Sequence, residues 1–198
     1  MLPSAQRYEY QPSFILGFHG CDKKTADAIL CSDKPGHLKH SEKDYDWLGS
    51  GIYFWEGNYT RALEWAQDRQ REGKIQTPAV IGAIIDLRQC LDLFDLSAMQ
   101  QLAQAHLTLK AIYRATGKKL PKNVGPTPDK GGRKLDCLVI KTLHQMREDQ
   151  KQPQYDSVRG PFLEGRRIYP TSGFRSHTHI QICVRDEACI KGYFRPLV

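Results

Sequence analysis

Four kinds of residue in this chain could do chemistry together. His19 and Gly20 end the apolar run Phe14-Ile15-Leu16-Gly17-Phe18. Tyr53 sits inside Leu48-Gly49-Ser50-Gly51-Ile52-Tyr53-Phe54-Trp55, where two glycines bracket a small polar residue and large apolar residues follow. Gln181 and His179 lie in the alternating run Thr178 to Arg185. Glycine lets backbone turn sharply and pass close to another group. Aromatic rings directly after such a turn suit a flat heterocycle. A glutamine between isoleucines needs hydrogen-bond partners if its face is buried. Taken singly, each residue has a structural explanation: a turn histidine, a core tyrosine, a strand glutamine.

These residues need elements to hold them. Residues 14–21 predict a short strand, and Ile52-Tyr53-Phe54-Trp55 a buried one. Asp22 predicts an N-cap for a helix over Lys23–Cys31. Ala62, Leu63, Trp65 and Ala66 place one apolar face on a helix over Tyr59–Glu72. Pro78–Leu87 predicts a core strand, and Cys90–Asp95 a shorter extended piece. Ser97 predicts the cap of a long helix to about Thr116, with Met99, Leu102, Ala103, His106, Leu109 and Ile112 on its inner side. Leu135–Arg147 predicts another helix. Tyr155–Phe162 reads as extended, Leu163–Ser176 as a loop, Thr178–Arg185 as a strand and Cys189–Phe194 as a last strand. Alternation puts His179, Gln181 and Cys183 on one face, with Ile180, Ile182 and Val184 on the other. Strands mixed irregularly with helices predict an α+β fold.

The chain has 198 residues, 40% hydrophobic and 26% charged, which fits a single domain with its own core. No apolar run approaches the roughly 20 residues that span a bilayer. The start has no apolar signal-peptide core. Residues 1–13 read as a polar lead-in and 32–46 as an irregular polar stretch. Six cysteines lack C-x-x-C spacing, which argues against a zinc knuckle, and no metal is expected. Apolar neighbours around most of them fit reduced thiols and a cytoplasmic protein. The formal net charge of +7 fits an anionic partner. Lys118–Lys134 holds six basic residues and one acidic, with three prolines and three glycines, and reads as an exposed loop insertion. It is either a phosphate-tracking patch or a solvated insertion.

Phe-His-Gly, then Gly-Ser-Gly-Ile-Tyr-Phe, then Arg-Ala-Leu-Glu-Trp-Ala, then Cys-Leu-Asp-Leu, in that order over residues 14–95, resembles the ADP-ribosyltransferase superfamily. The branch it is most similar to is the diphtheria-toxin and poly(ADP-ribose) polymerase one, with its His–Tyr–Glu triad. The likeness resumes over 178–194, and 96–177 carries none. The resemblance implies a split, two-sheet, mainly antiparallel core spanning 1–198, with NAD+ between the sheets. It implies His19 on the adenosine ribose, Gly20 on the nicotinamide carboxamide and Tyr53 stacked on the nicotinamide ring. Cys21, Ser50, Gly51 and Arg61 take neighbouring NAD+-binding positions. Cys21 stands where many members have a small hydroxyl residue. Arg61 and Glu64 stand where the family's helix supplies a serine and a second tyrosine. Gln181 stands in place of the glutamate.

A glutamine can hold a ribose hydroxyl but cannot act as a base. Glu164, with His179 as a second candidate, is the base this reading offers. Arg166, Arg167, Tyr169, Phe174 and Arg175 join cationic and aromatic groups suited to phosphates and bases, ahead of the third catalytic position. The resemblance thus implies NAD+-dependent mono-ADP-ribosyl transfer to a macromolecule, with nucleic acid the favoured acceptor and protein the other. It also implies a toxin or phage-defence role, with an antitoxin or inhibitor protein as partner. Two rival expectations are an NAD+ glycohydrolase and a non-catalytic module binding nucleic acid or ADP-ribose.

Overall fold

The computed structural model describes residues 14–31, 36–125 and 131–197. The lead-in over 1–13, four residues of the stretch over 32–46, and the centre of the basic loop lie outside the described residues. The chain runs β1 (Ile15–Asp22), α1 (Lys23–Leu30), β2 (Ile52–Glu56), α2 (Tyr59–Arg71), β3 (Pro78–Ile85), β4 (Cys90–Asp92) and α3 (Leu96–Ala115). It continues through α4 (Lys134–Asp149), β5 (Ser157–Arg167), β6 (Arg175–Val184) and β7 (Ile190–Phe194). Among the described residues the strands form one α+β sheet in the order β4-β5-β6-β2-β1-β3-β7. All neighbours are antiparallel except β4 with β5.

Period-two alternation divides the sheet's side chains between two clusters. Ile52, Phe54, Ile81, Ile85, Ile182 and Val184 pack on one face beneath α1. Leu48, Val158, Phe162 and Cys183 pack on the other, beneath Leu109 of α3 and Ile140 and Leu143 of α4. Each such side chain contributes about 1.5–3 kcal/mol by leaving water. On that second face, α2 seats Ala62 against Trp55 and Val80, which carries Arg61 and Glu64 to the rim of the cluster.

Asp22 caps α1 as the sequence predicts, its carboxylate accepting from Lys24 N. The cap of α3 is Asp95, two residues before Ser97. Its inner stripe is Ala98, Leu102, Ala105 and Leu109, while Met99 and Ile112 are exposed. The expected stripe is rotated because the larger apolar residues do not mark the packed side of a helix wetted along much of its length. Asn123 accepts from the Leu135 and Asp136 N–H groups, so the basic segment itself caps α4.

The largest departure is the expected loop over 163–176. β5 runs on to Arg167 and returns from Arg175 as β6, forming a long hairpin. Gly165, at φ 83°, and a register shift between Glu164 and Arg167 bend the ladder without ending it.

Candidate active site

β1 and β2 share a short seam. β1 pairs with β3 at eight positions, from Ile15↔Ile85 to Asp22↔Pro78. It pairs with β2 only at Gly17↔Glu56 and Phe18↔Trp55. Beyond Phe18 a side chain makes the link: His19 Nδ1–H donates to the Tyr53 carbonyl at 2.7 Å. That fixes the neutral tautomer with Nε2 as acceptor. Burial lowers the His19 pKa and outweighs the opposing effect of the carbonyl. Its ring lies 5.9 Å from Phe54 and 6.5 Å from Trp65. A Cβ on Gly20 would run into the Ala62 carbonyl, so glycine there lets α2 lie directly on β1. Cys21 is buried in the core, which pushes its thiol up to about 11.

The Gly-Ser-Gly turn is held by the tyrosine that follows it. Tyr53 OH donates to the Gly49 carbonyl at 2.7 Å and accepts from Leu48 N–H at 3.0 Å. Gly49 has φ 85°, a left-handed conformation that favours glycine. A Cβ on Gly51 would meet the Val184 carbonyl and Cys183 Sγ. Both glycines therefore serve a tight turn docked on β6. The half-buried Tyr53 ring packs beside the α3–α4 cluster. Burial raises its phenol far above the ordinary range, so the hydroxyl stays protonated. Ser50 is half-buried beside α4.

Two positions along β2 from Tyr53, Trp55 pairs with Gln181 of β6. Here groups distant in sequence converge. Gln181 Nε2 donates to His179 Nε2 at 3.1 Å, while His179 Nδ1–H donates to the His177 carbonyl at 2.7 Å. These two bonds make His179 neutral and fix the glutamine amide, leaving Oε1 to accept from elsewhere. His179 stacks on Phe162, 5.0 Å between centroids, and burial lowers its pKa. Arg61 donates to Glu164 at 3.1 Å and to Glu64 at 3.4 Å. His177 Nε2 lies 3.8 Å from Glu64. One guanidinium thus joins α2 to β5 between two carboxylates. Trp55 Nε1 and Arg61 Nε are buried without a hydrogen-bond partner. Two orphaned donors beside an oriented amide are an arrangement that a polar ligand would complete.

Glu164 and Arg61 are therefore brought together, with His179 bonded to Gln181 on the face that carries Tyr53 and Trp55. His19 lies at the seam, linked to them by the ring row Trp65–Trp55–His179, at 5.9 and 6.3 Å. Arg166, Tyr169 and Phe174 are exposed at the end of the β5–β6 hairpin. Arg167 and Arg175 donate to the Ser172 and Gly165 carbonyls and so brace its turn. Sequence reasoning missed Trp55, Trp65, Phe162 and His177. Trp55 had a legible signal, since alternation puts it on the face of Tyr53.

The chain is similar to an uncharacterized protein of Methanocaldococcus jannaschii, 26% identical over 192 residues, covering 88% of this chain and 83% of that one. No family model and no solved structure match the chain.

Proposed function

We propose that the chain is an NAD+-dependent mono-ADP-ribosyltransferase acting on a macromolecule, with nucleic acid the favoured acceptor. The observation that carries this reading is the oriented Gln181 amide beside the Arg61–Glu164 pair and the two orphaned donors of Trp55 and Arg61. The parting of β1 from β2 after Phe18 supports reading the sheet as two halves, with NAD+ beside the seam that His19 and the Tyr53 carbonyl share.

In this mechanism Gln181 Oε1 accepts from a ribose hydroxyl and holds C1′ for attack. The bond from C1′ to the nicotinamide nitrogen breaks, and its electron pair leaves with nicotinamide. The half-buried Tyr53 ring is the aromatic group this reading assigns to the cationic nicotinamide before departure. The carboxylates of Glu64 and Glu164 stabilise positive charge developing on the ribose. An acceptor nucleophile bonds to C1′, and its proton passes to Glu164 or to water. Exposed Arg166, Tyr169 and Phe174 support an acceptor with phosphates and bases.

The engagement of Glu164 by Arg61 favours a second reading, NAD+ hydrolysis, because a carboxylate oxygen occupied by a guanidinium is less free to meet an acceptor's proton. NAD+ labelled in its adenylate half, incubated with RNA, DNA and protein, separates the readings. Label on a macromolecule supports transfer, and free ADP-ribose supports hydrolysis. NAD+ left intact in all mixtures overturns both.

A further inference from the structure

A cavity of about 330 Å³ opens at the other end of β2 and β6 from the Trp55–Gln181 pair. One stripe of α4 lines it, because Lys141, His144 and Glu148 recur at intervals of three and four residues. Ser50 from the glycine turn, His40, and Arg185 just beyond β6 complete the wall. Arg185 lies about 13 Å along the strand from Gln181, at roughly 3.3 Å per residue. The cavity is therefore separate from the residues gathered around Gln181.

Its lining is short of negative charge. Among the described residues no carboxylate lies within ion-pair distance of Lys141 or Arg185. Arg185 is half-buried and spends one N–H on the Tyr155 carbonyl, at 2.6 Å. His40 has Glu187 at 3.6 Å, and Glu148 is the acid of the lining. His144 is only 7% exposed, and neither ring nitrogen has a hydrogen-bond partner. A buried imidazole with both nitrogens unsatisfied is costly unless something completes it. Burial, with Arg185 and Arg147 nearby, pushes its pKa down to about 3, so at neutral pH it offers one N–H donor and one acceptor. Two cations against one carboxylate, with an orphaned donor on the same concave wall, match the oxygens of a phosphate group.

We propose that this cavity binds a phosphate ester of mononucleotide size, its phosphate held between Lys141 and Arg185 and completed by His144. Ser50 and the acceptor nitrogen of His144 remain for hydroxyl groups of the same ligand. The volume falls within the range of small-molecule sites.

Calorimetric titration with inorganic phosphate and with a 5′-phosphorylated mononucleotide, in a phosphate-free amine buffer at fixed ionic strength, tests the site. The expected result is saturable binding of both, weakened about tenfold or more in Lys141→Gln and in Arg185→Gln. Tighter binding of the nucleotide supports an ester site, and equal binding supports a site for the free ion. In parallel, the His144 ring ¹⁵N signals of the wild type should shift in a saturable way on phosphate addition. Lys141→Gln keeps the test sound if Arg185→Gln fails to fold, since the Lys141 side chain makes no ion pair among the described residues. Absence of saturable binding, or an unchanged constant in Lys141→Gln with unshifted His144 signals, overturns the proposal.

Discussion

Replacing Tyr53 by Phe separates two roles that one residue carries. The hydroxyl bridges Leu48 N–H and the Gly49 carbonyl, and both of those residues are buried. Deleting it leaves Leu48 N–H without a partner and weakens the satisfaction of Gly49 O, whose other contact is Cys183 Sγ at 3.7 Å. A buried donor left unsatisfied costs about 1–3 kcal/mol. At about 2 kcal/mol, and about 2–4 °C per kcal/mol for a chain of this length, the melting temperature should fall by about 4–8 °C. Three tryptophans make urea unfolding followed by fluorescence a direct second assay. The aromatic face survives in Tyr53→Phe, so NAD+ turnover per folded molecule should stay within about threefold of wild type. Tyr53→Ala should abolish turnover. A melting temperature unchanged in Tyr53→Phe refutes the anchoring role, and a folded but inactive Tyr53→Phe places the hydroxyl in the chemistry.

Gln181→Glu puts a carboxylate against His179 Nε2, which should raise the depressed His179 pKa by favouring its charged form; an unchanged imidazole titration by NMR removes the contact from the argument. Glu164→Gln should cut transfer to a macromolecule more than release of free ADP-ribose, and an equal loss of both denies Glu164 the role of base. His144 binds its proton at about 3 in the fold but near 6.5 when unfolded, so the unfolded state protonates first as pH falls. Its contribution is complete above about pH 6.5 and is lost toward pH 3, amounting to about 2 kcal/mol by pH 5. In phosphate-free buffer, His144→Phe should remove that part of the acid sensitivity, whereas parallel stability curves for variant and wild type sink the assignment. Gly20→Ala sets a methyl group against the Ala62 carbonyl and should destabilise by about 1–3 kcal/mol in urea unfolding, with wild-type stability as the contrary result.

Local patterns were legible where local physics decides them. The run Ile52-Tyr53-Phe54-Trp55 read as a buried strand, and Asp22 before the helix expected over Lys23–Cys31 read as its cap, as the structure has them. Alternation also sorted His179, Gln181 and Cys183 from Ile182 and Val184 correctly. What pairing decides was not legible. β6 lies between β2 and β5 because two faces of apolar residues demand it, and no local signal says so. The Arg61–Glu164 contact spans 103 positions and exists only once that order is set. The hairpin beyond Phe162 was hidden because Gly165, Pro170 and Gly173 read as a loop, although a glycine bulge lets the ladder continue past the first of them. Asn123 as cap of α4 was hidden because caps are sought next to the helix they cap.

The glutamine at 181 shifts where the proposed site keeps its negative charge. A glutamate there would combine ribose binding with stabilisation of a cation. On the proposed reading the amide, locked by a neutral His179, would keep only the first task. On the same reading the second would fall to Glu64 and Glu164, which share the guanidinium of Arg61. Those carboxylates lie on α2 and on the hairpin, which Arg61 joins and where His177 of β6 lies 3.8 Å from Glu64. An acceptor docking on the exposed hairpin tip therefore bears on the same strand pair that carries Glu164. On the proposed reading, a site with glutamine at its centre would then carry out transfer only while the acceptor is bound to that strand pair.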